Sequence, residues 1–229
     1  YQSHPIAIAI DLPNIAGLQV LKGPQGTLYG RNATGGAILI DTISPTENWQ
    51  GKLEGTYANF DDRRIGGVIS GPLAEGVGIS VAGYTRRTDG YHKKMSRTNP
   101  GEYDGNGWPL SQDSVRTKLS FDFSDTFNVT VGYNYTFTED GRGVQFSPIE
   151  NVEPFYLAKG GNTRPMKLGE TANDLSPTVN ARQHEFYGKV TLDTGLGQIR
   201  SITGYADTDT NTFYDFDGSY IPAFYGTNE

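Results

Sequence analysis

A cluster of glycines between Gly23 and Gly36 is the first feature that could do chemistry, because closely spaced glycines let backbone N–H groups cradle a phosphate. The spacing does not fit. A phosphate loop needs Gly, four residues, then Gly-Lys and a hydroxyl residue. Here Gly26 is followed by three residues, then Gly30-Arg31-Asn32. His4, His92 and His184 stand apart, and none sits at the helical spacing of a metal-ligand pair. They read as a plain loop residue, a loop-base residue and a strand-end residue. Glu139-Asp140 reads as a solvated carboxylate pair at a loop tip. Asp61-Asp62-Arg63-Arg64 reads as a loop with local ion pairs, each worth little at a surface. No catalytic constellation stands out, so no enzyme activity, catalytic residue, metal or cofactor is expected.

Whole-chain properties narrow the class. The chain has 229 residues with 30 Gly, 14 Tyr and 11 Phe, a mix of turn and strand formers. Its mean hydropathy is −0.50, and no apolar run approaches the roughly 18 residues of a membrane helix. A membrane barrel stays open, since its strands are only half apolar. There is no cysteine, hence no disulfide framework or thiolate site. A net charge of −7 argues against a nucleic-acid partner, which needs a basic face. The chain starts with Tyr1 and shows no signal peptide, and it is expected to be a fragment.

Those inert charges sit between strands of unusual length. In Phe127 to Thr138, the residues Phe127, Val129, Val131, Tyr133, Tyr135 and Phe137 share one face. Asn128, Thr130, Gly132, Asn134, Thr136 and Thr138 share the other. Strict period-two alternation is a strand signal. At about 3.3 Å per residue this strand runs about 40 Å, and tilted by about 40° it covers a roughly 25 Å apolar band. Val115 to Phe123 and His184 to Asp193 repeat the pattern, with every charge on one side. Gly51 to Tyr57 and Val77 to Thr88 also read as strands, and Arg63 to Gly71 and Gln198 to Thr210 as strands with bulges. Tight turns are expected near Pro72 to Gly76, Ser124 to Thr126 and Gly195 to Gly197. A short loop is expected at Asn59 to Asp62, with long ones at about 91–113 and 139–182. Such alternation of short turns and long loops is a barrel trait, with strands 1, 3, 5 and 7 running outward. Trp49, Trp108, Tyr91, Tyr103, Tyr156 and Tyr214 are candidates for an interfacial girdle or for stacking on a ligand. A soluble β-sandwich also alternates, but rarely with strands and loops this long.

The stretch Leu18 to Ile40 is more specific. Lys22-Gly23-Pro24-Gln25-Gly26-Thr27-Leu28-Tyr29-Gly30-Arg31-Asn32-Ala33, then Gly35-Gly36 and an apolar strand, closely resembles the plug signature of TonB-dependent outer-membrane receptors. The residues make sense physically. Pro24 fixes φ, Gly23 and Gly26 allow positive φ, and Leu28 and Tyr29 supply apolar anchors. Gly35 and Gly36 permit close backbone approach before the Ala37 to Ile40 strand. Lys22 departs from the family's usual arginine, which resembles half of a plug-to-barrel ion-pair lock. Lysine supplies the charge without the bidentate fork. The plug-motif site residues are therefore Lys22, Gly23, Pro24, Gly26, Leu28, Tyr29, Gly30, Arg31, Gly35 and Gly36.

The resemblance implies a mainly β fold. About seven strands of a transmembrane antiparallel β-barrel of about 22 follow the C-terminal part of a small α+β plug domain. The division falls at residues 1–48 for the plug part and 49–229 for the barrel part. It implies location in the cell outer membrane and active uptake of a scarce ligand, by default a ferric siderophore. The implied partners are outer-membrane lipid and the TonB energy-transducing complex, reached through a TonB box not in this chain. Carbohydrate or cobalamin uptake by the same kind of receptor is one alternative. A soluble β-rich carbohydrate-binding module is another.

Overall fold

The computed structural model describes residues 14–29, 35–96, 98–99, 101–141, 167–172, 178–215 and 225–228. It is built from strands. β1 (Ile15–Lys22) and β2 (Gly36–Thr42) form an antiparallel pair, with the short helix α1 (Gly26–Tyr29) between them. Among the described residues no helix is long and apolar enough to cross a membrane.

The rest is one large meander. β3 (Gln50–Ala58), β4 (Asp62–Ala74), β5 (Val77–Thr88), β8 (Leu110–Ser124), β9 (Phe127–Asp140), β11 (Thr178–Thr194) and β12 (Gly197–Asp215) pair antiparallel with their neighbours. The short β13 (Tyr225–Asn228) adds to β12, making eight strands among the described residues. The strands of the central pairs run 12 to 19 residues, far beyond the roughly 5–6 of an ordinary globular strand. β6 (His92–Met95), β7 (Tyr103–Gly107) and β10 (Glu170–Thr171) form a separate small sheet. They lie inside the two segments expected to be long loops.

Several expected boundaries move. β8 begins at Leu110 and β11 at Thr178, each several residues before the apolar alternation starts, because polar residues there still pair in register. Glu139 and Asp140 are not a loop tip; they pair with Ser111 and Leu110 at the end of β9. The bulge expected within Arg63 to Gly71 lies just beyond it, between Pro72 and Ala74, where proline has no N–H to give the ladder. No bulge interrupts β11 and β12, which pair without a register shift from Thr178–Phe213 to Thr194–Gly197.

Turns follow from local chemistry. Gly76 has φ 69°, and a Cβ there would meet the Asp122 carbonyl at 2.7 Å. The β3–β4 turn holds Phe60 and Asp61 at φ 65° and 53°. The Phe60 carbonyl accepts bonds from the Asp89 N–H and the Thr88 hydroxyl, which holds this left-handed phenylalanine in place.

The two faces of the large sheet have inverted polarity. One register row runs Tyr84, Ser114, Thr136, Gln183, and all four are under a tenth exposed. Ser70, Ser80 and Gln112 lie on the same side, also buried. On the opposite side Leu53 is 81% exposed and Tyr205 66%, and Ile69, Val115 and Phe186 are exposed as well. A water-soluble sheet hides its apolar face. This one hides its polar face and shows the apolar one, as a barrel wall does.

Candidate functional site

The plug motif folds as one hairpin with a sharp corner. Gly23, directly after β1, has φ 83°, a conformation that favours glycine. Pro24 and Gln25 lead to α1, which starts at Gly26. Gly36 has φ 149°, and a Cβ there would meet the Leu21 carbonyl at 2.5 Å. Its proximity to β1 is the close approach expected for the Gly-Gly pair. Gly35 itself faces open space. Lys22 ends β1 with an exposed side chain. Leu28 and Tyr29 lie in α1, and Gly30 and Arg31 lie outside the described residues. On the hairpin Leu18, Val20, Ile38 and Ile40 remain exposed, an apolar surface with no cover among the described residues.

From β2 the chain crosses directly onto the polar face of the large sheet. The Lys118 ammonium of β8 donates to the Thr42 carbonyl at 2.8 Å. Ser70 of β4 donates to the Ser44 carbonyl at 3.3 Å, and its hydroxyl lies 3.1 Å from the Thr46 hydroxyl. Pro45 lies so close over Gly78 of β5 that a Cβ at Gly78 would come within 2.6 Å of the proline ring. Ser70, Ser80 and Lys118 occupy one register row, so three adjacent strands present one platform. Trp49 then passes to the apolar face, where its ring covers Gly71.

At the other end of the same polar face, Asp62 accepts from Arg64 and Arg86. The closest contacts are 2.6 Å and 2.9 Å. Asp61 pairs with Arg63 at 2.7 Å. The expected local ion pairs are present, but Asp62 is buried and also draws in Arg86 from β5, which sequence proximity could not reveal.

The small sheet joins the β5–β8 and β9–β11 connections. β10 runs parallel to β6, and β7 antiparallel to it. Glu170 is the clasp: Oε1 accepts from the Tyr103 hydroxyl at 2.5 Å and Oε2 from the Lys167 N–H at 2.8 Å. The Lys93 ammonium sits 5.1 Å from the Tyr103 ring centre. Met95 and Ala172 bury against each other. Below them the rings of Tyr91, His92 and Trp108 cluster, Tyr91 meeting Trp108 edge-on at 5.7 Å. Tyr103 lies in β7 of the small sheet, and Trp108 directly follows that strand. Tyr156 lies outside the described residues. Burial lowers the His92 pKa below its ordinary value, so the neutral ring is favoured. His184 lies well inside β11, not at its end, and its Nδ1 meets the Tyr133 hydroxyl at 3.0 Å. His4 lies outside the described residues. Among the described residues no three His, Asp or Glu side chains converge as a metal-ligand set. No period marks the loop sheet, because its strands of two to five residues are too short to show one.

A sheet with one exposed apolar face and one buried polar face, met on its polar side by the hairpin of the Gly-rich motif, is the arrangement that the resemblance in sequence implies. No family model matches the chain. Among relatives, it is 32% identical over 111 residues to the pesticin receptor of Yersinia enterocolitica, covering 48% of this chain and 16% of that protein. It is 30% identical over 99 residues to the iron-regulated outer membrane virulence protein of Vibrio cholerae, covering 38% of this chain and 15% of that protein. Among solved structures, the siderophore receptor PiuA of Acinetobacter baumannii superposes with a TM-score of 0.65 at 17% identity, over 88% of this chain and 27% of that one. The pyoverdine outer membrane receptor FpvA of Pseudomonas aeruginosa gives 0.64 at 15%, over 91% and 29%. The chain therefore spans less than a third of each of these proteins. In sequence and fold it is a segment similar to outer-membrane receptors, and these relatives are named as receptors rather than enzymes.

Proposed function

We propose that this chain is part of a TonB-dependent outer-membrane receptor that takes up a ferric siderophore. Residues 1–48 would be the C-terminal part of the plug and 49–229 the N-terminal part of the barrel. One observation carries the reading: an exposed apolar face and a buried polar face on one sheet, with the plug hairpin joined to the polar face. Lipid contacts the first face, and the second lines the lumen. The Gly23 and Gly36 corners and the Lys22 terminus give the motif residues a structural role in shaping the plug hairpin. Iron-related names among the relatives favour a ferric ligand. The energy for uptake comes from the TonB complex, acting on a segment upstream. The soluble carbohydrate-binding module is not favoured, since its exposed face would carry a large aromatic patch into water.

A second ligand reading has support of its own. The vitamin B12 transporter of Vibrio vulnificus is 24% identical over 145 residues, covering 62% of this chain and 23% of that protein. The test is growth of an iron-starved host lacking its own receptors and expressing the full-length protein. Ferric enterobactin or ferric pyoverdine is expected to restore growth, and deletion of TonB to abolish it. Restoration by cyanocobalamin in a cobalamin-dependent host would replace the ferric reading with the cobalamin one. Uptake that persists without TonB would overturn the transport mechanism.

A further inference from the structure

The crossing between hairpin and sheet is unusually well tied. Thr42 to Thr46 touches three strands at three points: Lys118 on the Thr42 carbonyl, Ser70 on Ser44 and Thr46, and Gly78 beneath Pro45. The Lys118 contact is charge-assisted and therefore the strongest of these. Asp41 lies near enough to attract the same ammonium. Ser70 is 1% exposed and Ser80 3%, so the platform under the linker is closed to water. A linker that merely connected two domains would need none of this.

We propose that residues 42–46 are a permanent anchor of the plug on the barrel wall, with Lys118 as its positioning residue. This rests on the receptor reading above. When force reaches the plug from its N-terminal side, movement stops at Thr42. The β1–β2 pair can shift or part, while the linker stays on β4, β5 and β8. Gly78 is part of the device, because any side chain there would push Pro45 off the wall.

The experiment uses the full-length receptor in outer membranes. A Thr46→Cys/Ser70→Cys pair replaces two hydroxyls 3.1 Å apart and can lock the linker to β4 by a disulfide. Val20→Cys on β1, which the closed wall of the full-length barrel would enclose, reports plug movement by maleimide labelling in energised cells given ferric enterobactin or ferric pyoverdine. With the linker locked, Val20→Cys labelling is expected to rise as it does without the lock. A rise that vanishes when locked and returns on reduction overturns the anchor, since the linker must then lift. A separate arm needs no ligand. Ile43→Cys is expected to label slowly, and Lys118→Met to speed it by about an order of magnitude through loss of one charge-assisted bond. Ile43→Cys that labels freely and ignores Lys118→Met also overturns the anchor. If neither ferric complex is taken up, the function reading fails while this second arm still decides the anchor.

Discussion

Gly132 lies beneath the ring of Tyr187, on the polar face between β9 and β11, in register with it. A Cβ at residue 132 would fall on the aromatic ring itself. Alternation alone marks Gly132 as one more small polar-face residue, so its role is visible only with the partner strand in place. Gly132→Ala is expected to destabilise the folded receptor by about 1–3 kcal/mol, the range for overpacking. Tyr187→Ala in the same chain should recover most of that loss, because the clash disappears. Thermal unfolding in detergent reads both, and a Gly132→Ala variant as stable as its parent would remove the packing account. His92 offers a pH test. Its folded pKa lies below the ordinary value because burial disfavours the charged ring. The unfolded loop therefore binds a proton first as pH falls, and folding of the loop sheet weakens toward acid. Amide protection in His92–Met95 should be lower at about pH 5.5 than at about pH 7.5, and His92→Phe should flatten that difference. Protection that rises toward acid would contradict the assignment.

At the scale of elements, alternation was legible wherever both faces had a consistent solvent. Phe127 to Thr138 reads correctly because its two faces meet different surroundings throughout, which on the receptor reading are lipid on the apolar side and the lumen on the polar side. The start of β8, Leu110 to Ser114, was not legible. Ser111 and Asp113 lie on the outward face beyond the apolar band, where the lipid constraint is gone. The same reason hid Thr178 to Gln183. The loop sheet and the Glu170 clasp escaped because Tyr103 and Glu170 are 67 residues apart and no period links them. The plug motif was legible as a motif, but its anchorage on Lys118 was not, since that contact depends on which way β8 faces. A strand-level test follows. Val131 lies on the exposed apolar face of β9, which the receptor reading turns toward lipid, and Asn128 of the same strand lies on the polar face beside Asp122 of β8. Val131→Lys should cost roughly 2–4 kcal/mol of barrel stability, the price of a cation at midplane. Asn128→Lys should be tolerated, because the new ammonium can meet Asp122. Equal effects of the two would mean that β9 does not separate lipid from lumen.

For the whole molecule, the open edges decide what this segment can do by itself. Among the described residues, β3 pairs only with β4, and the far side of β13 pairs with nothing. A row of unpaired backbone N–H and C=O groups costs several kcal/mol per group in hydrocarbon, so an open edge is not viable there. Eight strands could close alone only at a tighter curvature, with a lumen just wide enough for side chains. The linker and the hairpin on the polar face would then have no room. Closure with the hairpin inside requires more strands, as in the larger receptors that share this fold. Residues 1–229 expressed alone with an export signal are therefore expected to fail to form a heat-modifiable band on unboiled gels. They should be degraded or recovered as aggregate, while the full-length protein shifts on heating. A protease-resistant, heat-modifiable monomer of this segment would show that the eight strands close by themselves. The polar face would then be a packed core, and the transport reading would lose the lumen it depends on.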